Sequence, residues 1–159
     1  MSSDVDKALA LIKPLFGRHD DPAGGELDPQ AFLDMLADDI TITFQGTEWP
    51  LGGSHAGKQA AMHFFGAVKQ LWEKVDFQSA NFATGDRFVM VEWFSHVTSW
   101  KGETIPNAGA TVFEIRDGKI AVWREYTDTA RQTEFLAGWQ DKLGPEVGEQ
   151  LPNWKVGAR

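Results

Sequence analysis

A carboxyl group within an apolar stretch is the feature of this sequence with the clearest chemical potential. Glu125 lies in the strand-like run Lys119–Thr127, where alternation places it on the same face as Ala121 and Trp123. A carboxyl group among apolar side chains has its charged form disfavoured, so its pKa rises toward the range that is useful for proton transfer. We therefore predict that Glu125 acts as a catalytic acid or base.

Other interpretations of the polar residues in these strands stay open at this point. Glu125 could form an ion pair with an arginine on a neighbouring strand or lie at the rim, and structural ion pairs outnumber catalytic acids. His96 lies in a second half-apolar run, and a lone histidine near a strand end is more often a hydrogen-bonded filler than a catalytic group. Whether Glu125 lines an enclosed cavity or enters an ion pair distinguishes the first two interpretations.

Motifs for metals, phosphates and covalent catalysis are missing from the sequence. The chain has no cysteine, and His19, His55 and His63 do not have the HExxH spacing of zinc enzymes. The Gly-Gly-Ser segment at residues 52–54 lacks the GxGxxG spacing of dinucleotide-binding loops, and the GxSxG elbow of hydrolases does not occur. We expect neither a metal nor another cofactor.

The composition predicts one globular domain over residues 1–159, with residues 144–159 as a C-terminal tail on the surface. Of the 159 residues, 42% are hydrophobic and 12% aromatic, and the net charge of -8 repels nucleic acids and anionic lipids. No segment approaches the roughly 18 consecutive apolar residues of a membrane span, and the first residues lack the basic start of a secretory signal. With cysteine also absent, we expect a cytoplasmic protein without nucleic-acid or membrane partners.

The hydrophobic spacing predicts mainly helices in the first half of the chain and strands in the second. Three N-terminal helices are expected, at residues 3–16, from the Asp28–Pro29 cap through Leu36, and at residues 58–72. Short turns join four later strands and therefore demand antiparallel neighbours; the expected strands are 40–44, 75–83, 87–100, 104–116 and 119–127, before a final helix at 129–142. This order is typical of an α+β fold with helices on one face of a curved antiparallel sheet.

Both faces of the last predicted strand are half apolar. The face opposite Glu125 carries Ile120, Val122 and Tyr126. A strand with one face in water should alternate more cleanly, so we expect the second face to be covered as well, most simply by another subunit. The sequence therefore predicts a homodimer through the face that bears these three residues.

Two segments carry a resemblance to a known superfamily: ADDITITF at residues 37–44 and DGKIAVWREYTDT at residues 117–129. With this order of elements, they resemble the nuclear-transport-factor-2-like fold over about residues 4–140, and more narrowly the SnoaL-like polyketide cyclases and the limonene-epoxide-hydrolase-like proteins. The resemblance implies a cone-shaped, curved antiparallel or mixed sheet wrapped around a pocket, with three N-terminal helices and a C-terminal helix. It also implies that Glu125 matches an inward-facing aspartate that serves as acid or base in both groups.

The partner residues of that aspartate have no counterpart in this sequence. The epoxide hydrolases carry an arginine and a second aspartate at the positions of Trp93 and Ser95. A shift of the alignment by one residue gives Glu92 and Phe94 instead, which does not restore the triad. The cyclases carry a histidine at the position of Thr111. The second catalytic group of both families is therefore missing.

The first strand also departs from a related site. Ketosteroid isomerases place a catalytic aspartate just past the first strand, where this chain has Phe44 followed by Gln45. Four polar residues remain that could orient a substrate or water beside the carboxyl group: Gln45, Ser95, His96 and Thr111.

The sequence predicts a cofactor-independent acid–base enzyme of the isomerase, cyclase or epoxide-hydrolase type. Its substrate is expected to be a small hydrophobic molecule, such as a polyketide, a terpenoid or a cyclic ketone or epoxide, in a pocket walled by aromatic residues: Phe44, Phe65, Trp93, Phe113 and Trp123. The alternative is a non-catalytic module of the same fold that binds a hydrophobic ligand or another protein, in which Glu125 is only a structural hydrogen-bonding group.

Overall fold

A computed structural model describes residues 3–17, 29–47 and 49–152, which form helices and a six-stranded sheet. The helices are α1 (Ser3–Ile12), which continues into a 3-10 helix (Lys13–Phe16), α2 (Pro29–Met35), α3 (Lys58–Leu71), α4 (Thr129–Phe135) and α5 (Trp139–Gly148). The strands are β1 (Leu36–Phe44), β2 (Gly53–Ala56), β3 (Trp72–Thr84), β4 (Phe88–Ser99), β5 (Thr104–Arg116) and β6 (Lys119–Thr127). Asp28, predicted to cap the second helix, lies outside the described residues.

The sheet has the strand order β2-β1-β6-β5-β4-β3. β1 and β6 run parallel, and every other neighbouring pair is antiparallel. The tightest connection is the turn at Asp117 and Gly118, where both residues have the positive φ of a two-residue hairpin turn. The sheet curves without closing into a barrel. The predicted α+β cone is confirmed.

The helices pack against one face of the sheet and bury a continuous core. Val5, Ala8 and Ile12 of α1 are buried at helical spacing, and this helix contacts β4, β5 and β6. α3 buries one stripe in the same way and contacts β1, β2, β3 and α5. None of the described helices combines the length and the apolar character that crossing a membrane requires.

The first two strands differ from the prediction. β1 begins at Leu36, which was expected on the second helix, so the strand is longer than residues 40–44. The glycine-rich segment after β1 was predicted as a loop but contains β2, whose residues Gly53 to Ala56 pair with Phe44 to Thr41. Glycine and proline in a sequence predict a break in regular structure. The short strand forms nevertheless, because the free edge of β1 offers backbone hydrogen bonds to it.

The C-terminal part also differs from the prediction. Instead of one helix at residues 129–142, α4 and α5 are separated by a turn in which Gly138 has a φ of 89°. This left-handed conformation is not helical and is readily adopted only by glycine. The chain therefore leaves the helix before Gly138 and starts a new helix after it. The chain breaks the helix at Gly144, which has a φ of 69°, but the expected surface tail from this residue is wrong at its start, because a further helical piece reaches Gly148 and Leu151 is buried in the core.

The face of the sheet away from the helices, which we call the outer face, exposes several large apolar side chains. They are Phe88, Met90, Phe94 and Tyr126, with Phe94 exposed to 54%. Val122 lies on the same face and is partly exposed. Such a row of apolar side chains is typical of surfaces that contact another protein.

Ile120 does not lie on the outer face, so this part of the dimer prediction is wrong. The register of β5 and β6 changes from Glu114 opposite Val122 to Ile115 opposite Ile120, which leaves Ala121 as an extra residue in β6. This bulge interrupts the alternation of the strand and turns Ile120 into the core, where it is 1% exposed.

We predict a homodimer through the outer face, and Val122→Glu should shift it toward monomer because a charge would be desolvated in the interface. Sedimentation velocity at micromolar concentration is the measurement. Leu11→Glu, which changes an exposed apolar residue on α1, is the matched control and should leave the oligomeric state unchanged. A wild-type monomer at this concentration would contradict the prediction.

Candidate active site

Glu125 lies in β6 with its carboxyl group on the helix side of the sheet, and only 7% of the residue is exposed. Two uncharged donors hold the two oxygens. The indole Nε1 of Trp123 donates to Oε1 at 2.8 Å, and the hydroxyl of Thr111 donates to Oε2 at 2.9 Å. Each oxygen keeps a further lone pair for another partner, because a carboxylate has about four acceptor positions.

A chain of hydrogen bonds continues from this carboxyl group into β4. Trp93 Nε1 donates to Thr111 Oγ1 at 2.9 Å, so the threonine hydroxyl accepts one bond while it donates to Glu125. The ring of Trp93 lies across Gly109, its pairing partner in β5. A Cβ at Gly109 would come within 2.6 Å of that ring, so only glycine leaves room for the tryptophan here.

Burial raises the pKa of Glu125 to about 7, against the smaller lowering effect of the hydrogen bonds from Trp123 and Thr111. The physical cause is desolvation, because the charged carboxylate loses water and gains only two neutral donors. At neutral pH, the group is therefore present in both protonation states, which suits proton transfer in either direction.

The nearby arginine does not neutralise Glu125. Arg124 points to the outer face, where it pairs with Glu114, since neighbouring residues of a strand face opposite sides. Within residues 3–17, 29–47 and 49–152, no lysine, arginine or histidine lies within salt-bridge distance of Glu125. The geometry thus corresponds to a cavity-lining carboxyl group rather than to an ion pair.

Glu125 borders a cavity of about 530 Å³ between the sheet and the N-terminal helices. We call this space the outer cavity. Its wall is mostly apolar and comes from the 3-10 helix, α2, α3, β3 and β6: Leu15, Phe16, Phe32, Leu33, Met62, Phe65, Val68, Phe77 and Trp123. The volume is within the range of small-molecule sites. Its only described charged lining residues are Glu125 and Lys69.

A second space of about 160 Å³, the inner cavity, adjoins the first. The two share five lining residues, namely Phe65, Val68, Phe77, Trp123 and Glu125. The inner cavity extends along β4 toward α4 and is lined in addition by aromatic and polar residues, among them Phe44, Trp49, Trp72, Trp93, Ser95, Asn107, Thr127 and Gln132. Glu125 therefore lies at the junction of the two cavities.

Most of the residues predicted for the site meet around this junction. Phe65 and Trp123 line both cavities, and Phe44, Trp93 and Ser95 line the inner one. Two others lie behind the wall: Thr111 is fully buried and reaches Glu125 through its hydroxyl, and Phe113 packs edge-to-face on Trp123 at 4.8 Å between ring centroids.

Two predicted residues lie outside the site. His96 is exposed on the outer face, because Trp93 and Ser95 take the inward positions of β4 and alternation sends His96 to the other side. Gln45 is exposed in the bend after β1, and its backbone carbonyl accepts a hydrogen bond from Trp49 Nε1 at 2.7 Å. Neither side chain lines the cavities, so these two residues do not orient a substrate there.

Several residues that line the cavities were not predicted from the sequence, among them Trp72, Phe77 and Gln132. Phe77 of β3 lines both cavities, and Trp72 and Gln132 line the inner one. A signal for Gln132 was present, since it shares a helical stripe with Phe135 and Leu136, which are both buried. A polar residue at a core position of this kind indicates a buried polar contact.

The described residues contain no cluster of three or more histidine, aspartate or glutamate side chains that could hold a metal. His55 is buried beside Phe64, and its Nε2 lies 2.9 Å from the backbone oxygen of Leu51. Burial lowers the pKa of His55, so the ring is neutral at pH 7. His19 lies outside the described residues.

Comparison with protein families gives one match, to the SnoaL-like domain, over residues 18–123 of this chain. The matched region includes α3 and the strands β1 to β5 but ends two residues before Glu125. The match therefore supports the fold around the site and says nothing about the carboxyl group itself. Among curated protein sequences, none matches the chain significantly.

Solved structures share the fold at low sequence identity. An NTF2-like protein of unknown function from Burkholderia pseudomallei has a TM-score of 0.70 at 17% identity, over 87% of this chain and 100% of that chain. A candidate SnoaL-like polyketide cyclase from Jannaschia sp. CCS1 has a TM-score of 0.68 at 14% identity, over 87% and 96%. TerC co-crystallised with polyporic acid has a TM-score of 0.68 at 20% identity, over 85% and 98%. At these identities, the likeness establishes the fold alone.

Glu125→Gln should increase stability at neutral pH. The amide oxygen can accept from Trp123 while the amide nitrogen donates to Thr111, as the protonated acid would, and no charge is buried. A folded pKa of about 7 against an ordinary value of 4.5 means that the wild type loses stability as pH rises through this interval. The difference in unfolding free energy between variant and wild type should grow to on the order of 3 kcal/mol above pH 7. Urea unfolding at pH 4.5, 6 and 8 measures it.

Glu92→Gln, at an exposed outer-face position, is the control for this experiment and should show no such pH-dependent gain. A Glu125→Gln variant that is less stable than the wild type at pH 8 would contradict the assignment of a desolvated, unpaired carboxyl group.

Thr111→Val should raise the pKa of Glu125 further. The substitution removes one of the two donors that favour the charged form and leaves the desolvation in place. A carbon-detected NMR titration of the glutamate carboxyl groups can follow the change. Ser99→Ala, which removes another buried hydroxyl of the sheet, is the control. An unchanged or lowered pKa in Thr111→Val would show that the threonine does not influence the carboxyl group.

Proposed function

Because this chain belongs to the SnoaL-like domain family, we propose that it is a cofactor-independent acid–base enzyme that acts on a small hydrophobic molecule. Glu125 is the proton-transfer group, and the reaction is an isomerisation, a cyclisation or a hydrolysis. The proposal applies to the outer cavity and to the carboxyl group at its inner end.

The observation that carries the proposal is the position of Glu125 at the junction of the two cavities. Its oxygens are held at 2.8 Å and 2.9 Å by neutral donors, so the carboxyl group is oriented without being neutralised. A structural carboxylate would be expected to pair with a cation or to reach water, because an unpaired buried charge is costly. A pKa of about 7 gives a base and its conjugate acid in comparable amounts at neutral pH.

The chemical step needs only this group, the substrate and, for hydrolysis, one water molecule. In an isomerisation or an aldol-type cyclisation, the Glu125 carboxylate takes a proton from a carbon next to a carbonyl, and the electron pair of the C–H bond moves toward the carbonyl oxygen. In an isomerisation, the protonated carboxyl group then returns that proton to another carbon of the substrate. In a cyclisation, the enolate carbon attacks a second carbonyl carbon, the π bond of that carbonyl breaks, and the proton goes to the alkoxide that forms. In epoxide hydrolysis, the carboxylate takes a proton from water as the oxygen attacks carbon, the epoxide C–O bond breaks, and the alkoxide is protonated in turn.

The wall of the outer cavity supports a largely apolar, ring-containing substrate. Phe32 contacts Phe65 and Trp123 edge-on, and the rings of Phe65 and Trp123 meet at 55°, with ring centroids 4.9 Å to 6.3 Å apart in the three pairs. Aromatic walls of this kind bind flat apolar molecules by offset and edge-to-face contacts. Polyketides, terpenoids and cyclic ketones or epoxides fit this description, and the name of the Jannaschia protein, a candidate polyketide cyclase of the same fold, supports the first of these classes.

A second candidate function is binding without catalysis. Thr111 occupies the position at which the resembling cyclases carry a histidine, and Glu125 is the only titratable side chain among the described residues of the inner cavity. In this alternative, the protein holds a hydrophobic molecule and Glu125 only accepts hydrogen bonds. Ligand binding without turnover by the wild type would favour this function.

Glu125→Gln should reduce kcat by on the order of 10²–10⁴-fold, because the amide keeps the shape of the site but cannot exchange a proton. Turnover of a panel of epoxides, lactones and cyclic ketones by the wild type identifies the substrate, and steady-state kinetics of the variant measure the loss. Glu92→Gln on the outer face is the matched control and should retain full activity. Near-wild-type turnover by Glu125→Gln would refute the role of this residue.

A further inference from the structure

Four buried side-chain atoms in the described part of the chain have no hydrogen-bond partner. They are Trp72 Nε1, Ser95 Oγ and both terminal atoms of the Gln132 amide. All three residues line the inner cavity. Buried polar groups without a partner are rare in proteins, and a cluster of them around one space indicates that something else completes their hydrogen bonds.

These residues come from three separate elements and converge on one space. Trp72 is the first residue of β3, Ser95 lies near the middle of β4, and Gln132 is in the middle of α4. Ser95 and Gln132 are 3% and 1% exposed, so the surrounding solvent does not supply their missing partners. Other polar residues of the same wall are already paired, as Thr127 Oγ1 donates to Asn107 Oδ1 at 3.1 Å.

We propose that the inner cavity is a hydrogen-bonding subsite for an uncharged oxygen group of the substrate, either a carbonyl or a hydroxyl. The inference rests on the proposed function and deepens it, since it assigns the orientation and the chemical class of the substrate. The body of the substrate fills the apolar outer cavity, and its oxygen-bearing end enters the inner cavity. The atoms that react lie between these two parts, at Glu125.

The donors and acceptors of the subsite define the group that it binds. The Trp72 indole can only donate, the Gln132 amide nitrogen donates twice and its oxygen accepts, and the Ser95 hydroxyl does both. Three of these atoms can donate and two can accept, which favours an oxygen atom of the ligand, because one oxygen can accept from more than one donor. An anionic oxygen is disfavoured, because no lysine or arginine lines the inner cavity in the described residues and the Glu125 carboxylate would repel it.

The size of the inner cavity limits what enters it. A space of about 160 Å³ corresponds to roughly five water molecules at about 30 Å³ each. It therefore takes a short oxygen-bearing end of a molecule, whereas the adjoining space of about 530 Å³ takes the body. The alternative to a substrate group is that ordered water molecules alone fill the inner cavity.

A matched pair of probes separates these two occupants. The ketone 4-phenylbutan-2-one and the hydrocarbon butylbenzene share an aromatic ring and a four-carbon chain, and only the ketone carries a neutral oxygen. Their affinities for the full chain and its variants can be measured by isothermal titration calorimetry. The ratio of the two affinities reports the contribution of the oxygen, while general changes of the cavity affect both probes.

Gln132→Met and Ser95→Ala should each lower this ratio by roughly five- to tenfold, because each removes hydrogen-bonding atoms and leaves an apolar wall. Ser99→Ala is the matched control, since Ser99 is an equally buried serine of β4 outside both cavities. It should leave the ratio unchanged. An unchanged ratio in both Gln132→Met and Ser95→Ala would overturn the subsite and leave water as its occupant.

Thermal unfolding without ligand provides a second measurement. Gln132→Met should keep or raise Tm, because it removes two buried polar atoms that have no partner in the protein. A large fall in Tm would show that the amide holds the fold, which would overturn a ligand-binding role. Loss of turnover in Glu125→Gln is a separate result, since it tests the proposed chemistry, whereas the affinity ratio of the probes is compared between the wild type, Gln132→Met and Ser95→Ala. Failure of the proposed function and failure of the subsite are therefore distinguishable.

Discussion

The burial of Glu125 without a cationic partner is the constraint on which the rest of the site depends. A carboxylate in an apolar surrounding is stabilised only by what the protein aims at it, and here this is one indole and one hydroxyl in the described residues. Two neutral donors orient the group but do not offset its desolvation, so its pKa rises to about 7. The same balance makes the group a weak point for stability and a competent acid or base.

The sheet keeps opposite charges away from this group by the alternation of its strands. Arg124 follows Trp123 directly, yet it faces outward and pairs with Glu114, while Glu125 faces the cavities. The hydrogen bond from Trp93 to Thr111 depends on Gly109, because only a residue without a side chain lets the ring lie across β5. The orientation of the carboxyl group thus depends on three neighbouring strands rather than on β6 alone.

The division of the interior into two cavities gives the site a direction. Phe65, Phe77 and Trp123 border both spaces, so a molecule that extends from one to the other passes the carboxyl group. The outer space is apolar, whereas the inner one collects polar atoms that lack partners. Because the polar atoms lie in the inner cavity, the polar end of a substrate would bind there. This orientation would determine which atoms of the substrate lie next to Glu125.

Local patterns in the sequence determined the helical stripes, the four long strands, the turn at Asp117 and Gly118, and the shared face of Trp123 and Glu125. These features depend on residues a few positions apart, so periodicity and turn chemistry reveal them. Alternation likewise placed His96 and Trp93 on opposite faces of β4. Only the packing of the helices decided which of these faces is buried. The tertiary structure alone turned Ile120 into the core through the bulge in β6 and brought Gln132 to the inner cavity, because both depend on contacts between elements distant in the chain.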